Sequence, residues 1–453
     1  MKNKNAKVLN NLWHTAPLTF AAAALLPEYL APVLMVVCFA IVLKNRTANG
    51  IKPHFGATGT ALLAFMGWMV VCSFYSSYII SSLASIGLWI LMFSGFYFTS
   101  EVLDTEEKIE KTFLVGGISA GTAGAIGIGQ MLLFHYGDLI IKGLGRFFNP
   151  FWHFLDVGIS KLVFLLPEFI KSNMARTTFN VFPARACSTF SNPLFFSAFE
   201  VMMLPFAAYC FLCMKEKKHR IIGLICFALA AGGIASSYSR GPYIYAAAVV
   251  ILLLLYGGKK ALKLGGIGIG ILAGVMVFAS GTVKRILSLL NDKDISVNTR
   301  TEIWKAVLQI FKKHPIFGYG TGFNNVRQLL HNDYGIKQPH AHNIFFEIQL
   351  ENGIFGTLLF VAVLFVFALN LLKLAKKGKE YRYYAVTLFA SVSGFVLCGM
   401  TDCLFYGLKP LQYLMLIFGI SQAVFNVMLK DEEIYLLPEK ARSKITSKLK
   451  KNK

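Results

Sequence analysis

Long apolar runs recur along this chain and limit what it can fold into. They lie near residues 18–29, 30–43, 58–74, 78–98, 113–134, 194–212, 221–235, 243–256, 264–279, 354–371, 385–400 and 411–428. The runs mix Gly, Phe and Leu with no period-two alternation, and several far exceed the roughly ten residues of a barrel strand. Helices are therefore the expected spanning elements. Twelve spans of about 20 residues would take up about 240 positions. A chain of 453 residues that is 55% hydrophobic and 15% charged has room for them, and little left for a large soluble domain. The expected fold class is all-α: a polytopic integral membrane protein with about 12 transmembrane helices. The first two runs are separated by Pro27 and Glu28. They read as a short helical hairpin or one kinked span, so eleven is the alternative.

The net charge of +22 could signal nucleic acid, so its distribution has to decide. Most Lys and Arg fall in short stretches between apolar runs or in the C-terminal tail, beside which lipid headgroups would lie. No basic face with stacking aromatics is visible, so nucleic acid is not an expected partner and membrane lipid is. With a cytoplasmic N-terminus, the inner segments carry Lys44, Arg46 and Lys52, then Lys215, Lys217, Lys218 and Arg220, then Lys259, Lys260 and Lys263, then Lys373 to Arg382. The inner stretch 101–111 is acidic, and acids contribute little to orientation. Arg240 and Lys409 are the two cations in short outer loops, which marks both for attention.

This topology divides the chain into N-terminal spans (1–135), a first large extracytoplasmic segment (136–193), central spans (194–280), a large extracytoplasmic helical loop (281–342), C-terminal spans (343–429) and a basic cytoplasmic tail (430–453). The aromatic stretch 147–155 suggests a helix in the membrane interface or one packed on the bundle. The early apolar stretch continues through Leu43 with no cleavage pattern before the next span, so a removable signal peptide is not expected. Most of the eight cysteines fall in or beside spans, which argues against a disulfide scaffold. Cys210 and Cys213 form an isolated CxxC with nothing nearby to complete a metal site.

Candidate chemistry concentrates in the outer segments. Thr299 followed by Glu302 fits a capping box opening a helix through Lys313, with Ile303, Val307, Ile310 and Phe311 as its apolar face. Arg300 would then sit in the first turn, where free amides and a cation favour an anion; a solvated surface arginine is the competing reading. The run Gly318, Tyr319, Gly320, Thr321, Gly322 allows amides to approach an anion closely, yet lacks a P-loop's strand and Lys. Arg240, just before Gly241 and Pro242, also lies where a helix begins. A charge at a membrane boundary faces water, a cavity or a partner, or snorkels to the surface.

His340 and His342 flank Ala341, ahead of another helix start. A histidine there can take a proton near neutral pH, contact phosphate when protonated, or simply cap the helix. Two histidines at i and i+2 share no helical face, so a zinc pair is not expected. Arg185 is a further anion ligand or a structural group. Asp292 and Asp294 form an isolated DxD that could hold a divalent metal. Glu200 and Asp402 are the acids that a coupled transporter would use, with Lys409 as a partner for Asp402.

Taken in order, the Arg-x-x-x-Thr-Phe-x-Asn-Pro stretch at Arg185, Ser-Arg-Gly at Ser239, Asn-Thr-Arg-x-x-x-Trp around Arg300, Gly-x-Gly at Gly318 and Ala-His-Asn at Ala341 resemble the O-antigen ligase and polymerase family. The resemblance implies a GT-C-like polytopic glycosyltransferase of the cytoplasmic membrane, with its active site on the extracytoplasmic face. Its donor would be a glycan on polyprenyl diphosphate and its acceptor a glycan or other surface molecule, with polysaccharide-assembly proteins as partners and no metal or nucleotide cofactor. Arg240 and Arg300 would hold the diphosphate, and His342 would assist transfer. Arg185, His340 and Tyr319 join them as expected substrate contacts. Polymerase, ligase and, from another class, a lipid-linked glycan flippase remain the three readings.

Overall fold

The structure, a computed structural model, describes residues 12–50 except 27 and 29, residues 53–140, 185–254 and 295–429, and positions 262, 265, 266 and 270. The aromatic stretch 147–155, the Asp292 and Asp294 pair, nearly all of the run 264–279 and the tail 430–453 lie outside these residues. Thirteen α-helices are described: α1 (Thr15–Leu25), α2 (Leu30–Ala48), α3 (Gly56–Ser73), α4 (Ile79–Val102), α5 (Glu106–Ile140), α6 (Pro193–Cys213), α7 (Lys217–Ser236), α8 (Arg240–Leu254), α9 (Ile295–Lys313), α10 (Phe323–Tyr334), α11 (Ile344–Lys376), α12 (Lys379–Gly399) and α13 (Leu408–Leu429). Among them α2 to α7 and α11 to α13, nine in all, are long and apolar enough to cross a membrane. The protein is thus an all-α, multi-pass membrane protein. α1, with 11 residues, is shorter than a span needs, so the first two runs are not two full crossings.

Helices α6 and α13 run through the centre, with 83% of their apolar windows buried, while α2 buries 33% and faces outward. α6 starts where the sequence can satisfy a helix end: Pro193 is at its first position and Asn192 accepts the Leu194 N–H at 2.8 Å. The loops expected inside meet at one end of the bundle. There Arg46 pairs with Glu101, and the Tyr384 hydroxyl reaches Glu106 and Glu110 at 3.4 and 3.5 Å. The loops expected outside meet at the other end, where Ala186 N–H donates to Ser236 O and Asn343 Nδ2 to Met400 O.

α11 begins at Ile344, ten residues ahead of the apolar run that marked it, and breaks at Gly353 (φ 63°, ψ −167°). A Cβ there would run into Ile316 O, so both the positive φ and the contact require glycine. The break releases backbone groups that a membrane-embedded helix must satisfy elsewhere. The glycine-rich turn supplies the partners: Tyr319 N–H donates to Leu350 O (2.8 Å), Gly320 N–H to Glu351 O (2.9 Å) and Ile354 N–H to Pro315 O (2.8 Å). Trp68 Nε1 on α3 takes Asn352 O at 2.9 Å. The amides of Tyr319 and Gly320 are therefore spent on α11, which corrects the reading of this turn as an anion cradle. Beneath it, Ile303, Val307 and Ile310 of α9 pack with Val326 and Leu330 of α10 and with Ala341 and Leu350 in a small core of their own.

Candidate active site

Four chain segments converge at the end of the bundle where the Ala341 turn lies. The first is residues 339–343. Asn343 caps α11, its Oδ1 accepting the N–H groups of Phe345 and Phe346 at 2.9 and 3.2 Å. One residue earlier, His342 has φ 51°, left-handed backbone that few residues other than glycine take. Its N–H donates to His340 Nδ1 at 3.2 Å, and the two rings stand 4.1 Å apart.

The second segment lies between α12 and α13. Asp402 Oδ1 is 3.2 Å from His342 Nδ1 and 3.7 Å from His340 Nε2, and it accepts the Cys403 N–H at 2.9 Å. Burial works to raise the Asp402 carboxyl, but the His342 hydrogen bond, the two imidazoles and the Cys403 N–H outweigh it and hold the group below its ordinary value. An ionised carboxylate only accepts hydrogen bonds, so His342 Nδ1 must carry the hydrogen and Nε2 is left as the basic nitrogen. His340 is pushed down to about 4, chiefly by burial, with Asp402 opposing and the neighbouring His342 and Arg300 adding to the fall. It is therefore neutral near pH 7.

The third segment is α9, which carries Arg300. This helix opens at Ile295, not Thr299, so the capping box is not used and Arg300 lies in the second turn. The Arg300 charge is near enough to act electrostatically on both His340 and Tyr245 of α8. Four residues on, Trp304 Nε1 donates to Ala341 O at 3.0 Å.

The fourth segment runs from 185 to 192 and through the start of α8. Arg185 Nε donates to Ser237 O at 3.0 Å and its Nη2 to Ser239 Oγ at 2.8 Å. It thereby braces the residues that lead into Arg240, which opens α8 as expected. The first turn of α8 reaches the second segment: a Cβ on Gly241 would lie 3.5 Å from Thr401 Oγ1, and Tyr245 donates to Thr401 Oγ1 at 3.1 Å. Pro242, Tyr245, Thr401 and Asp402 border a narrow cleft.

The structure thus brings Arg185, Arg240, Arg300, His340 and His342 to one end of the bundle. The Tyr319 ring lies 4.6 Å from that of His314 and packs against the small core that includes Ala341, while its backbone is bonded to the α11 break. Two expectations change. Lys409 does not pair with Asp402: its Nζ donates to Thr189 O (2.6 Å) and Thr189 Oγ1 (3.0 Å) and sits 4.5 Å over the Phe190 ring. His340 and His342 converge although they share no helical face, because both precede the helix and the left-handed His342 turns the rings together. With Asp402 they offer ligand atoms all within 4.8 Å of one another, a set that could hold a metal. The CxxC cysteines, like the other six, are free thiols.

Sequence reasoning missed three supporting groups. Glu347 Oε2 accepts the Ala341 N–H at 2.6 Å, Trp304 holds the carbonyl of the same residue, and the Tyr406 hydroxyl bridges Glu347 and Glu351, its single proton going to one of them. The glutamates were legible as two acids one helical turn apart ahead of an apolar run, a spacing that puts them on one face.

Residues 225–361 match the family model described as O-Antigen ligase. This chain carries an O-antigen ligase domain. No curated protein matches the chain. The O-antigen ligase domain takes in Arg240, Arg300, His340 and His342 and stops short of Arg185 and Asp402, which the fold brings to it from either side.

Proposed function

We propose that this protein is a membrane glycosyltransferase that moves a glycan from a polyprenyl-diphosphate donor to an acceptor hydroxyl at the extracytoplasmic face, in building a cell-surface polysaccharide. The observation that carries this reading is the His342–Asp402 pair with Arg300 and the start of α8 gathered beside it. Asp402 orients His342 so that Nε2 faces outward as a base. The acceptor oxygen attacks the anomeric carbon and its proton passes to Nε2. The bond from that carbon to the diphosphate oxygen breaks on the opposite face, the electron pair leaves with the diphosphate, and the configuration inverts. Arg240 and Arg300 offset the charge that develops on the leaving group, work that two guanidinium forks can do without a metal or nucleotide cofactor. Arg185 acts through the residues it braces, holding Arg240 at the head of α8.

The test uses purified protein in detergent, with a polyprenyl-diphosphate glycan and a panel of sugar, lipid and peptide acceptors. Joined product and free polyprenyl diphosphate are expected together, and the acceptor that reacts separates chain polymerisation from ligation. A protein that joins none of them, yet moves the lipid-linked glycan across reconstituted vesicles, would be a transporter and would overturn the proposal.

A further inference from the structure

The Ala341 peptide is gripped from two helices. Its N–H is taken by Glu347 at 2.6 Å and its carbonyl by Trp304 Nε1 at 3.0 Å, and Ala341 itself is fully buried. The residue next to it, His342, holds a left-handed backbone conformation that costs of order 1–3 kcal/mol and persists only where the surroundings over-determine it. Glu347 belongs to the helix that the turn itself begins, so its bond is local. Trp304 reaches the turn from α9, which is distant in sequence. Arg300 and Trp304 are four residues apart on that helix and so lie on one face, one turn from each other. The apolar contacts of α9, through Ile303, Val307 and Ile310, set its depth but have no direction. A hydrogen bond from an indole to one chosen carbonyl does.

We propose that Trp304 is a positioning residue that registers the Arg300 helix against the His342 turn, so that the anion-binding guanidinium and the basic nitrogen keep a fixed separation. This rests on the reading of the site given above. The indole ring also meets Phe346 edge-on, with centroids 5.7 Å apart. That contact is the competing explanation, since it would make Trp304 a packing residue and nothing more.

The full-length protein in detergent is compared with Trp304→Phe, Phe346→Leu, Arg300→Lys and the Trp304→Phe, Arg300→Lys double variant, each checked for thermal midpoint. Trp304→Phe keeps an aromatic ring and loses the N–H; a fall in turnover on the order of 10- to 100-fold is expected, as for a small misplacement of reacting groups. In the Arg300→Lys background the same change should cost less than about twofold, because register no longer matters once the guanidinium fork is gone. Phe346→Leu, which alters the ring contact and leaves the N–H bond, should stay within about twofold of the parent. Equal losses from Trp304→Phe in both backgrounds, parent turnover in Trp304→Phe, or a Phe346→Leu loss matching it would each overturn the proposal. The Phe346→Leu result decides if Trp304→Phe does not fold. Parent activity in Arg300→Ala would instead remove the underlying reading of the site.

Discussion

Asp402 Oδ1 lies 3.2 Å from His342 Nδ1 across 60 positions of sequence and two intervening helices. The pair determines which imidazole nitrogen is available. A carboxylate on Nδ1 leaves Nε2 as the acceptor, and Asp402 is held ionised by the same hydrogen bond. Asp402→Asn keeps the size of the side chain and removes the charge, so the wrong tautomer becomes accessible. Turnover should fall on the order of 100-fold or more, with the donor KM changed far less. Steady-state kinetics on the purified variant check this, and an unchanged turnover would detach Asp402 from the chemistry.

His340 gives the site a stability signature in pH. Its folded value of about 4 lies below the ordinary 6.5, with burial the main cause. Between those values the unfolded chain binds a proton that the folded protein refuses, so stability is full above about pH 6.5 and is lost as the pH falls toward 4. The loss amounts to about 3 kcal/mol at most, at 1.36 kcal/mol per unit. Asp402, also held low, loses its contribution only below its own depressed value, under the ordinary carboxylate range, so the two windows separate. Thermal midpoints in detergent should fall from pH 6.5 to 4 in the parent and fall less steeply in His340→Gln. The same slope in both would show that His340 is not the group concerned.

Tyr406 serves two buried carboxyl groups, on Glu347 and Glu351, and Glu347 in turn holds the Ala341 N–H. Tyr406→Phe removes the hydroxyl that both carboxyls share and leaves at least one buried oxygen without a partner. A loss of roughly 1–3 kcal/mol is expected for a buried acceptor left unsatisfied. It is read as a lower thermal midpoint together with lower turnover. A drop in turnover with no change in midpoint would mean that Tyr406 contacts the substrate.

His340, His342 and Asp402 come close enough together to hold a metal, so the metal-free mechanism needs its own check. Transfer should survive dialysis against a chelator and show no gain from added zinc, manganese or magnesium. Loss on chelation with recovery on adding back one ion would make the trio a metal centre.

Much of the fold could be read from hydropathy, since a run of apolar residues has few other places to go, and the helix class follows from it; the start of α8 at Arg240 was legible instead from Pro242, a residue favoured in a helix's first turn. The break in α11 could not, because Gly353 sits in a run with no proline and its cause is the Ile316 carbonyl against it. The same gap explains the glycine-rich turn: alternating glycines announced a close approach, and the partner is the broken helix instead of an anion. Asp402 was visible as an acid at a membrane boundary, but choosing between Lys409 and the histidines as its partner takes distances that the sequence does not hold. Lys409 goes to Thr189 because that carbonyl and hydroxyl, with the Phe190 ring, already form a complete cation site. Thr299 shows the limit of capping motifs: the pattern is present, yet the helix already runs from Ile295.

The most direct measurement is single-turnover transfer by purified protein, comparing the parent with His342→Ala, Arg240→Ala and Arg300→Ala at matched abundance and thermal midpoint. The histidine variant is expected to bind donor normally and to form product on the order of 100-fold or more slowly, while the arginine variants lose donor affinity as well. Parent-like rates in His342→Ala would contradict the central claim that this imidazole, oriented by Asp402, takes the acceptor's proton.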